Sequence, residues 1–479
     1  MKELVEYGIR KMDELGIDYG DLRIGDRSTQ SISVKNGTVE GIKDDLSRGI
    51  GIRILKKGWG FASTSDLTRD GIDRTVERAL KIARASAMAS PDVQLSPIKI
   101  YQDEYVSDYR KDPFQVPLEE KLELLMEAEG RMKVDDSIKV TNATMMAWGF
   151  EQWFASTEGA RIKQKIIQCG AGLNATATDG TDVQRRSYPN SFGGVFRSAG
   201  YEFIESLDLV EHAEQTGKEA VELLGAEQCP SGEMDLILEP SQLALQIHES
   251  CGHPTELDRV LGTEASYAGT SFMTPDKLNK LRYGSDMVNL VNDATSPKGL
   301  GTFGYDDEGV KAKSVDMVRN GMFVGYQSSR EDAAQIGVEV SGNMRADGWN
   351  NLPLVRMNNI NLEPGDWSRQ EIIEDTKEGI IMDTIKSWSI DDKRLNFQFG
   401  TEAGYLVRNG EIVGLVKNPT YTGITYEFWR GCNAIAGKDE WDMQGFPNCG
   451  KGEPPQTMHV GHGCAPSRFQ GVRVGVGKW

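Results

Sequence analysis

The sequence HESCGH, residues 248–253, lies near the middle of a 479-residue chain and places two histidines around a carboxylate. This is the composition of a hydrolytic zinc site, with His248 and His253 as neutral ligands and Glu249 as the general base for a zinc-activated water. In the common HExxH pattern the histidines are four residues apart and share one helix face. A five-residue step on a straight α-helix turns the second histidine by about 140° from the first. A regular helix therefore cannot present both ligands.

Two residues of this segment favour a distorted backbone. Gly252 allows the chain to leave helical dihedral angles just before the second histidine, and Pro254 lacks an amide donor and pushes against the carbonyl of Ser250. A π-bulge adds one residue to a helical turn and brings positions five apart back to the same side. The sequence therefore predicts a π-bulge or a helix break at 250–254.

Other interpretations of the motif remain open at this level. His248 and Cys251 are three residues apart and could chelate a metal while His253 only packs, or both histidines could be structural. The structural interpretation is weakened by the distribution of histidine in the chain. Of five histidines, four fall in two short clusters, His248 with His253 and His459 with His462. A catalytic zinc usually takes three protein ligands, and the C-terminal cluster is the obvious donor of the third.

Several blocks of sequence resemble the TldD/PmbA metallopeptidases, and specifically the TldD branch, across nearly the whole chain. Besides the HExxxH motif, the resemblance rests on GLGTFGYDDEG (299–309), VRNGMFVGYQSSREDA (318–333), SGNMRADGWNNLPLVRMNN (341–359) and NCGKG around Cys449. These blocks occur in the order typical of that family. The resemblance implies zinc held by His248, His253 and Cys449, with Glu249 as the general base.

The resemblance also implies a function and partners. It suggests a zinc-dependent peptidase that acts on short or unfolded peptides, because the family forms dimers around an enclosed cavity. The expected assembly is a homodimer or a heterodimer with a TldE-like subunit that lacks the metal motif. The alternative is that this chain is itself a non-catalytic, TldE-like scaffold. Retention of all three ligands and of Glu249 favours the enzyme, since a scaffold needs no base beside two metal ligands.

The C-terminal segment carries further potential ligands that the family pattern does not include. Cys449, His459, His462 and Cys464 could form a separate structural zinc site, although no short CxxC pair supports it. Alternatively, Cys464 could replace Cys449 at the catalytic zinc.

Other polar residues are candidates for supporting roles. Glu256 and Asp258 lie close enough to the motif to orient a ligand histidine. An oxyanion could be stabilised by Asn343, Arg345, Tyr421 or Tyr426, although an ordinary surface or turn position is the more frequent role of each type.

Composition favours a cytoplasmic protein. Fifty-four lysine and arginine residues against 72 aspartate and glutamate residues give a net charge of −18, which disfavours binding to nucleic acid. No uncharged stretch approaches the roughly 18 apolar residues of a membrane span, and the amphipathic N-terminus does not resemble a signal peptide. Six scattered cysteines do not form a disulfide framework, and a thiolate ligand requires a reduced cysteine.

The pattern of helices and strands predicts an α+β protein. Residues 1–226 form an N-terminal α/β region of two helix-strand-helix subdomains, at about 1–100 and 112–226, joined by a proline-bearing connection at 90–108. Residues 227–479 form a β-rich catalytic domain that carries the metal-motif helix from about residue 241. Asn-Gly pairs at 36–37, 320–321 and 409–410 predict hairpin turns.

Overall fold

The computed structural model describes residues 1–89 and 93–475. Up to residue 226, helices alternate with long strands. The helices are α1 (Lys2–Asp13), α2 (Arg69–Ser86), α3 (Leu118–Arg131), α4 (Tyr201–Glu205) and α5 (Leu209–Gly225). The strands are β1 (Tyr19–Lys35), β2 (Thr38–Lys56), β3 (Gly58–Thr64), β4 (Gln102–Val106), β5 (Ile138–Ser156), β6 (Arg161–Thr178), β7 (Val183–Tyr188) and β8 (Val195–Arg197).

These strands form one eight-stranded sheet with the order β3-β2-β1-β5-β6-β4, in which β7 and β8 also pair with β6. Asn36 and Gly37 connect β1 to β2 with φ of 48° and 73°, so the predicted hairpin turn is confirmed. Strands β1 and β5 pair along their length, from Asp21 opposite Ser156 to Lys35 opposite Asn142. The strands of both predicted subdomains therefore belong to a single sheet.

The helices cover one face of this sheet. Alternate residues of β1 supply the contacts: Leu22 and Ile24 pack with α1 and α2, whereas Ile32 and Val34 pack with α3 and α5. The opposite face contacts the second region of the chain. There, Gly51 allows close approach, because a Cβ atom at this position would lie 2.1 Å from the carbonyl oxygen of Trp349.

The second region is dominated by strands. Its helices are α6 (Pro240–Ile247), α7 (Leu257–Val260), α8 (Arg330–Ile336), α9 (Arg369–Glu374) and α10 (Thr425–Arg430). Its strands are β9 (Glu227–Gln228), β10 (Gly232–Leu238), β11 (Leu290–Asp293), β12 (Ser314–Arg319), β13 (Met322–Phe323), β14 (Met344–Arg345), β15 (Leu354–Val355), β16 (Ile360–Leu362), β17 (Glu378–Ile390), β18 (Asn396–Arg408), β19 (Glu411–Lys417), β20 (Thr420–Ile424), β21 (Cys432–Ile435), β22 (Asp442–Lys451), β23 (Gln456–Cys464) and β24 (Ser467–Val474).

Five of these strands close into a ring that packs against the motif helix. The pairing order is β17-β10-β24-β20-β18, and β18 also pairs with β17. Side chains of all five strands share one core with α6; those in the core include Leu238, Met382, Phe399, Tyr421 and Phe469. Every residue from 241 to 259 is buried, so the whole motif lies inside the second region.

A separate hairpin brings the C-terminal cluster to the motif. Strands β22 and β23 pair with Cys449 opposite Met458 and Asp442 opposite Cys464. The Asn-Gly turns at 320–321 and 409–410 connect β12 to β13 and β18 to β19 as predicted, with positive φ at all four residues.

The predicted fold class is confirmed: an α and β N-terminal region precedes a β-rich region that carries the motif helix. The domain boundaries at 226 and near 100 stay predictions. The connection predicted at 90–108 is in part wrong, because β4 pairs in parallel with the edge of β6. Residues 90–92 of that connection lie outside the described residues. In the part of the chain that is described, no helix is both long and apolar enough to cross a bilayer.

Candidate metal site

The motif helix changes its geometry where the sequence predicts. α6 ends at Ile247, a single π turn spans His248–Gly252, and a 3₁₀ turn spans His253–Thr255. The amide of His253 donates to the carbonyl of His248, five residues earlier. This wider turn brings the two rings together, with centroids 4.9 Å apart and planes perpendicular. Gly252 is also required by packing, because a Cβ atom there would lie 2.1 Å from Sδ of Met357.

Side chains satisfy the carbonyl groups that the distorted turn leaves without helical partners. Tyr283 donates to the carbonyl of Ser250 at 2.9 Å, and Gln327 donates to that of Gly252 at 2.6 Å. The Thr255 hydroxyl donates to the carbonyl of Cys251 at 2.7 Å. Because an unpaired buried carbonyl is costly, these contacts stabilise the π turn against a return to regular helix.

Three potential metal ligands meet at this turn. Donor atoms of His248, His253 and Cys449 all lie within 4.8 Å of one another, and the three residues are buried. The thiol sulfur of Cys449 is 3.8 Å from Nε2 of His253. Ligands of a tetrahedral zinc are separated by about 3.3 to 3.8 Å, given zinc–nitrogen and zinc–sulfur bonds of about 2.1 and 2.3 Å. The cluster therefore has the chemistry and nearly the spacing of a zinc site.

Hydrogen bonds fix the tautomers of both motif histidines. The carbonyl of Ile360 accepts from Nδ1 of His462 at 3.1 Å, so Nε2 of the neutral His462 ring is an acceptor. Nδ1 of His248 lies 2.8 Å from that Nε2 and must donate to it, which leaves the lone pair of His248 on Nε2. Nδ1 of His253 donates to the carboxylate of Glu256 at 2.8 Å and leaves its Nε2 lone pair facing Cys449.

The electrostatic surroundings keep the rings neutral and favour the thiolate. Burial lowers the pKa of His248 to about 4 and holds the pKa values of His253 and His462 well below their usual range. Burial alone would raise the pKa of Cys449, but Arg356 and His253 outweigh it and lower the pKa. The Arg356 guanidinium lies 3.1 Å from the sulfur of Cys449. All three donors are therefore favoured in their metal-binding forms.

Glu249, the predicted base, is buried and forms an ion pair with Arg394. Arg394 lies in the turn between β17 and β18 and has a left-handed backbone with φ of 63°. Contacts on both sides of the turn hold it there: Thr425 donates to the carbonyl of Arg394, and Arg259 donates to that of Asp392. An arginine in this sparsely populated conformation needs such support, and the turn directs its side chain to Glu249.

A buried network of charges surrounds Glu256, the carboxylate that orients His253. Lys451, two residues after Cys449, lies 3.5 Å from Glu256 and 2.7 Å from Asp258. Arg356 faces the other oxygen of Glu256 at 3.9 Å. The prediction that Glu256 contacts a motif histidine is confirmed, whereas Asp258 binds Lys451 instead.

Two other candidate ligands, His459 and Cys464, lie away from the cluster. His459 contacts Gln168 and the ring of Trp148 in the first sheet. Cys464 is six positions beyond the cross-strand partner of Cys449, about 20 Å along the strand. Among the described residues, the only cluster of suitable donors is the one formed by His248, His253 and Cys449. The separate structural zinc site is therefore contradicted, and Cys251 belongs to no such cluster of three or more donors among the described residues.

The four residues considered for oxyanion stabilisation have other contacts. Asn343 is held in a buried amide network with Asn292, and Tyr421 bonds Gln242 and Gln246 of the motif helix. Arg345 donates to the carbonyl groups of Met357 and His459 and lines a cavity of about 130 Å³ between the first sheet and the β22–β23 hairpin. Tyr426 packs near Phe272.

Sequence reasoning missed two residues of the site, Arg394 and Arg356, and gave a third, His462, a different role. Arg394 lies in a polar DDKR turn whose composition is typical of any exposed hairpin, and Arg356 follows an apolar run with nothing to mark it. The sequence predicts His462 only as an additional metal ligand, because its place behind His248 depends on the pairing of β22 with β23. The only sequence signal for a role of His462 is that histidine is rare in this chain and that His462 lies in one of its two clusters.

The π turn gathers two histidines and a distant cysteine beside a glutamate, which together supply three metal donors and a group capable of acid–base chemistry. Comparison with known families agrees. Models of the PmbA/TldA metallopeptidases match domain 1 at residues 20–83, the central domain at 111–226 and the C-terminal domain at 231–475. The chain belongs to this family, PmbA/TldD, and to its TldD branch.

Individual relatives extend the match over the full length. A metalloprotease of Methanocaldococcus jannaschii is 32% identical over 95% of this chain and 97% of its own. A protein of Saccharolobus solfataricus named zinc metalloprotease TldD homolog is 25% identical over 98% of both.

Solved structures share the fold at lower identity. A Thermotoga maritima protein described as a putative modulator of a DNA gyrase has a TM-score of 0.78 at 17% identity, covering 99% of both chains. TldE from Thermococcus kodakarensis has a TM-score of 0.73 at 18% identity and covers 99% of this chain and 100% of its own.

Proposed function

We propose that this chain is a zinc-dependent peptidase with His248, His253 and Cys449 as metal ligands and Glu249 as the general base. The observation that carries the proposal is the buried donor cluster at a π turn, with both histidine tautomers set to offer Nε2. The names of the relatives support the same reaction class, and one of them specifies zinc.

Each residue has a defined part in the proposed reaction. Zinc, when bound, supplies Lewis-acid activation of water and of the peptide carbonyl. Glu249 takes a proton from the attacking water onto a carboxylate oxygen and later delivers it to the nitrogen of the leaving amine. Arg394 holds that carboxylate in position, while His462 and Glu256 hold the two histidines.

The proposed substrates are short or unfolded peptides. The motif lies inside the second region, with every residue from 241 to 259 buried, so a folded protein has no direct access to Glu249. We further propose that the enzyme acts in the cytoplasm as a homodimer or beside a TldE-like subunit; the likeness to TldE from Thermococcus kodakarensis supports the second arrangement.

Cys449→Ser and Cys464→Ser form a matched pair that tests the ligand set. We expect the purified wild-type protein to bind one zinc and to cleave unstructured peptides, to lose activity with a chelator, and to regain it with zinc. Cys449→Ser should lose most of its zinc and its activity, because an alcohol is a poor zinc ligand. Cys464→Ser should keep both, since its sulfur lies near the carbonyl of Pro240 and away from the histidines.

Other outcomes decide against the proposal. Full zinc content in Cys449→Ser would exclude that residue as a ligand. Zinc binding without cleavage, by the chain alone and after addition of a TldE-like subunit, would favour the scaffold alternative.

His462→Phe should weaken zinc binding by about 10- to 100-fold, the usual effect of removing a residue that orients a ligand histidine. Phenylalanine fills the volume but cannot accept the proton of His248 Nδ1, so the ring loses its fixed tautomer. His462→Gln, which offers an acceptor oxygen, should recover part of the affinity. Competition with a fluorescent zinc chelator measures both, and equal affinities of wild type and His462→Phe would contradict this role.

A further inference from the structure

Arg394, which pairs with Glu249, has hydrogen-bonding capacity that the described part of the chain does not use. Its guanidinium bonds Glu249 through Nη1 alone. Nε of the same group is buried and has no acceptor among the described residues, and none of them bonds Nη2. A buried donor without a partner is costly. The unused edge beside the proposed base is therefore a candidate for ligand recognition.

The other cations around the motif are occupied and enclosed. All three side-chain nitrogens of Arg259 donate to protein oxygen atoms, and Lys451 bonds two such atoms. Arg356 bonds Cys449, and its Nε faces a carboxylate oxygen at 3.9 Å. These three side chains are 1%, 1% and 0% exposed, against 16% for Arg394. Of the four cations, only Arg394 combines access from outside with donors that the described residues leave free.

The turn that carries Arg394 is fixed by hydrogen bonds. The Asp391 carboxylate accepts from the amides of Leu395 and Asn396 at 2.8 and 3.1 Å, and the amide of Arg394 donates to the carbonyl of Asp391 at 2.9 Å. These bonds maintain a left-handed conformation at Arg394, and strained residues of this kind cluster at ligand-binding sites. The turn therefore presents the guanidinium in a defined position.

The free edge of Arg394 matches a carboxylate. Nε and Nη2 of a guanidinium are parallel donors that bind both oxygens of one carboxylate. Arg48 binds Asp26 in this way, with both distances at 2.6 Å. A carboxylate also supplies the negative charge that a partly buried cation favours, which a neutral peptide carbonyl does not. The chemistry of the edge therefore favours an anionic group of the substrate.

The contact between Arg394 and Glu249 selects which carboxylate is bound. A base that returns its proton to the leaving nitrogen lies within about 3 Å of that nitrogen. In the residue that begins with this nitrogen, the carboxyl carbon is only about 2.5 Å further along. Because the guanidinium contacts the base directly, both groups can reach the same substrate residue. A carboxylate at that place belongs to the last residue of a peptide.

We propose that Arg394 binds the C-terminal carboxylate of the peptide substrate through Nε and Nη2 while Nη1 stays on Glu249. This role rests on the proposed peptidase function and adds the substrate class, linear peptides with a free C-terminus. Hydrolysis then adds the hydroxyl of water to the carbonyl carbon of the last peptide bond, breaks its C–N bond and moves the water proton through Glu249 to the leaving nitrogen. The products are one amino acid and a peptide shorter by one residue, which again ends in a carboxylate.

Two peptides of one unstructured sequence, a free acid and a C-terminal amide, test this role with the full chain. We expect stepwise release of C-terminal residues from the acid, identified by mass spectrometry. For the amide, kcat/KM should be about 10- to 100-fold lower, because the charged hydrogen bonds are lost. Binding of the same peptides, labelled at the N-terminus, to metal-free protein should show the same preference by fluorescence anisotropy.

The two measurements separate this role from the peptidase function. Equal cleavage and equal binding of acid and amide would overturn the role and leave the peptidase function standing. If neither peptide were cleaved but the acid bound more tightly, the peptidase function would fail and carboxylate recognition by the site would stand.

Arg394→Gln and Lys393→Gln each remove one positive charge from the same turn. Arg394→Gln should cleave both peptides more slowly, because Glu249 loses its partner, and should no longer distinguish acid from amide. Arg394→Lys, which restores the charge without the two parallel donors, should recover part of the preference. Lys393→Gln, at an exposed position, should keep all of it. With circular dichroism to show that each variant is folded, a preference retained in Arg394→Gln would overturn the role.

Discussion

Glu249→Gln is expected to keep its zinc and to lose peptide hydrolysis, with kcat/KM lower by about 10²- to 10⁴-fold, the usual contribution of a general base. Glutamine has nearly the same shape but cannot accept a proton from water at neutral pH. The three proposed ligands and the two groups that orient the histidines do not include Glu249. Zinc content by atomic absorption and cleavage of an unstructured peptide are the two measurements.

Glu374→Gln makes the same chemical change at an exposed position of α9 and should alter neither measurement. Unchanged hydrolysis in Glu249→Gln would exclude this residue as the base. Loss of zinc together with activity would instead assign Glu249 to the stability of the site, through its ion pair with Arg394.

Lys451→Met is expected to destabilise the surroundings of the motif by about 3–5 kcal/mol, the usual effect of removing one partner from a buried ion pair. Lys451 is the cation that faces both Glu256 and Asp258, and its side chain is 1% exposed. Without it, two carboxylates are left close together with little access to water. Hydrogen exchange of peptides that cover residues 248–260 measures the free energy of local opening. A local measurement is needed because a protein with several hydrophobic cores need not unfold in a single two-state transition.

A second variant separates charge from packing in this network. Lys451→Met combined with Asp258→Asn should recover part of the loss, because one of the two uncompensated charges is removed. Lys438→Met, at an exposed position, should have no measurable effect. If Lys451→Met behaved like Lys438→Met, the network would have no role in holding Glu256 against His253.

The local features of this protein were largely predictable from sequence. The break in helical geometry followed from Gly252 and Pro254, and the hairpins followed from three Asn-Gly pairs, because these residues restrict or permit backbone angles without help from the rest of the fold. The prediction that Cys449 lies beside the two histidines depended on the family resemblance. No local rule relates residues that are 196 positions apart.

Features that depend on strand pairing were not predictable. The strands of two predicted subdomains form one sheet because β1 pairs with β5, and such long-range pairing has no signal in either strand alone. The position of His462 behind His248 depends on the β22–β23 register, in which a slip by one residue would move His462 to the other face. Arg394 acquires its contact with Glu249 from a left-handed turn that its residue type does not favour.

The ring of strands around the motif helix has a consequence for the order of events in biosynthesis. Strand β24 pairs with both β10 and β20 and is made after Cys449, whereas the two histidines are made almost two hundred residues earlier. A nascent chain that already contains His248 and His253 therefore lacks both the third donor and the strand that closes the ring. If the proposed function is correct, zinc can bind to its complete ligand set only at the end of translation. A chain truncated before Cys449 would lack the third ligand and should not hold the zinc.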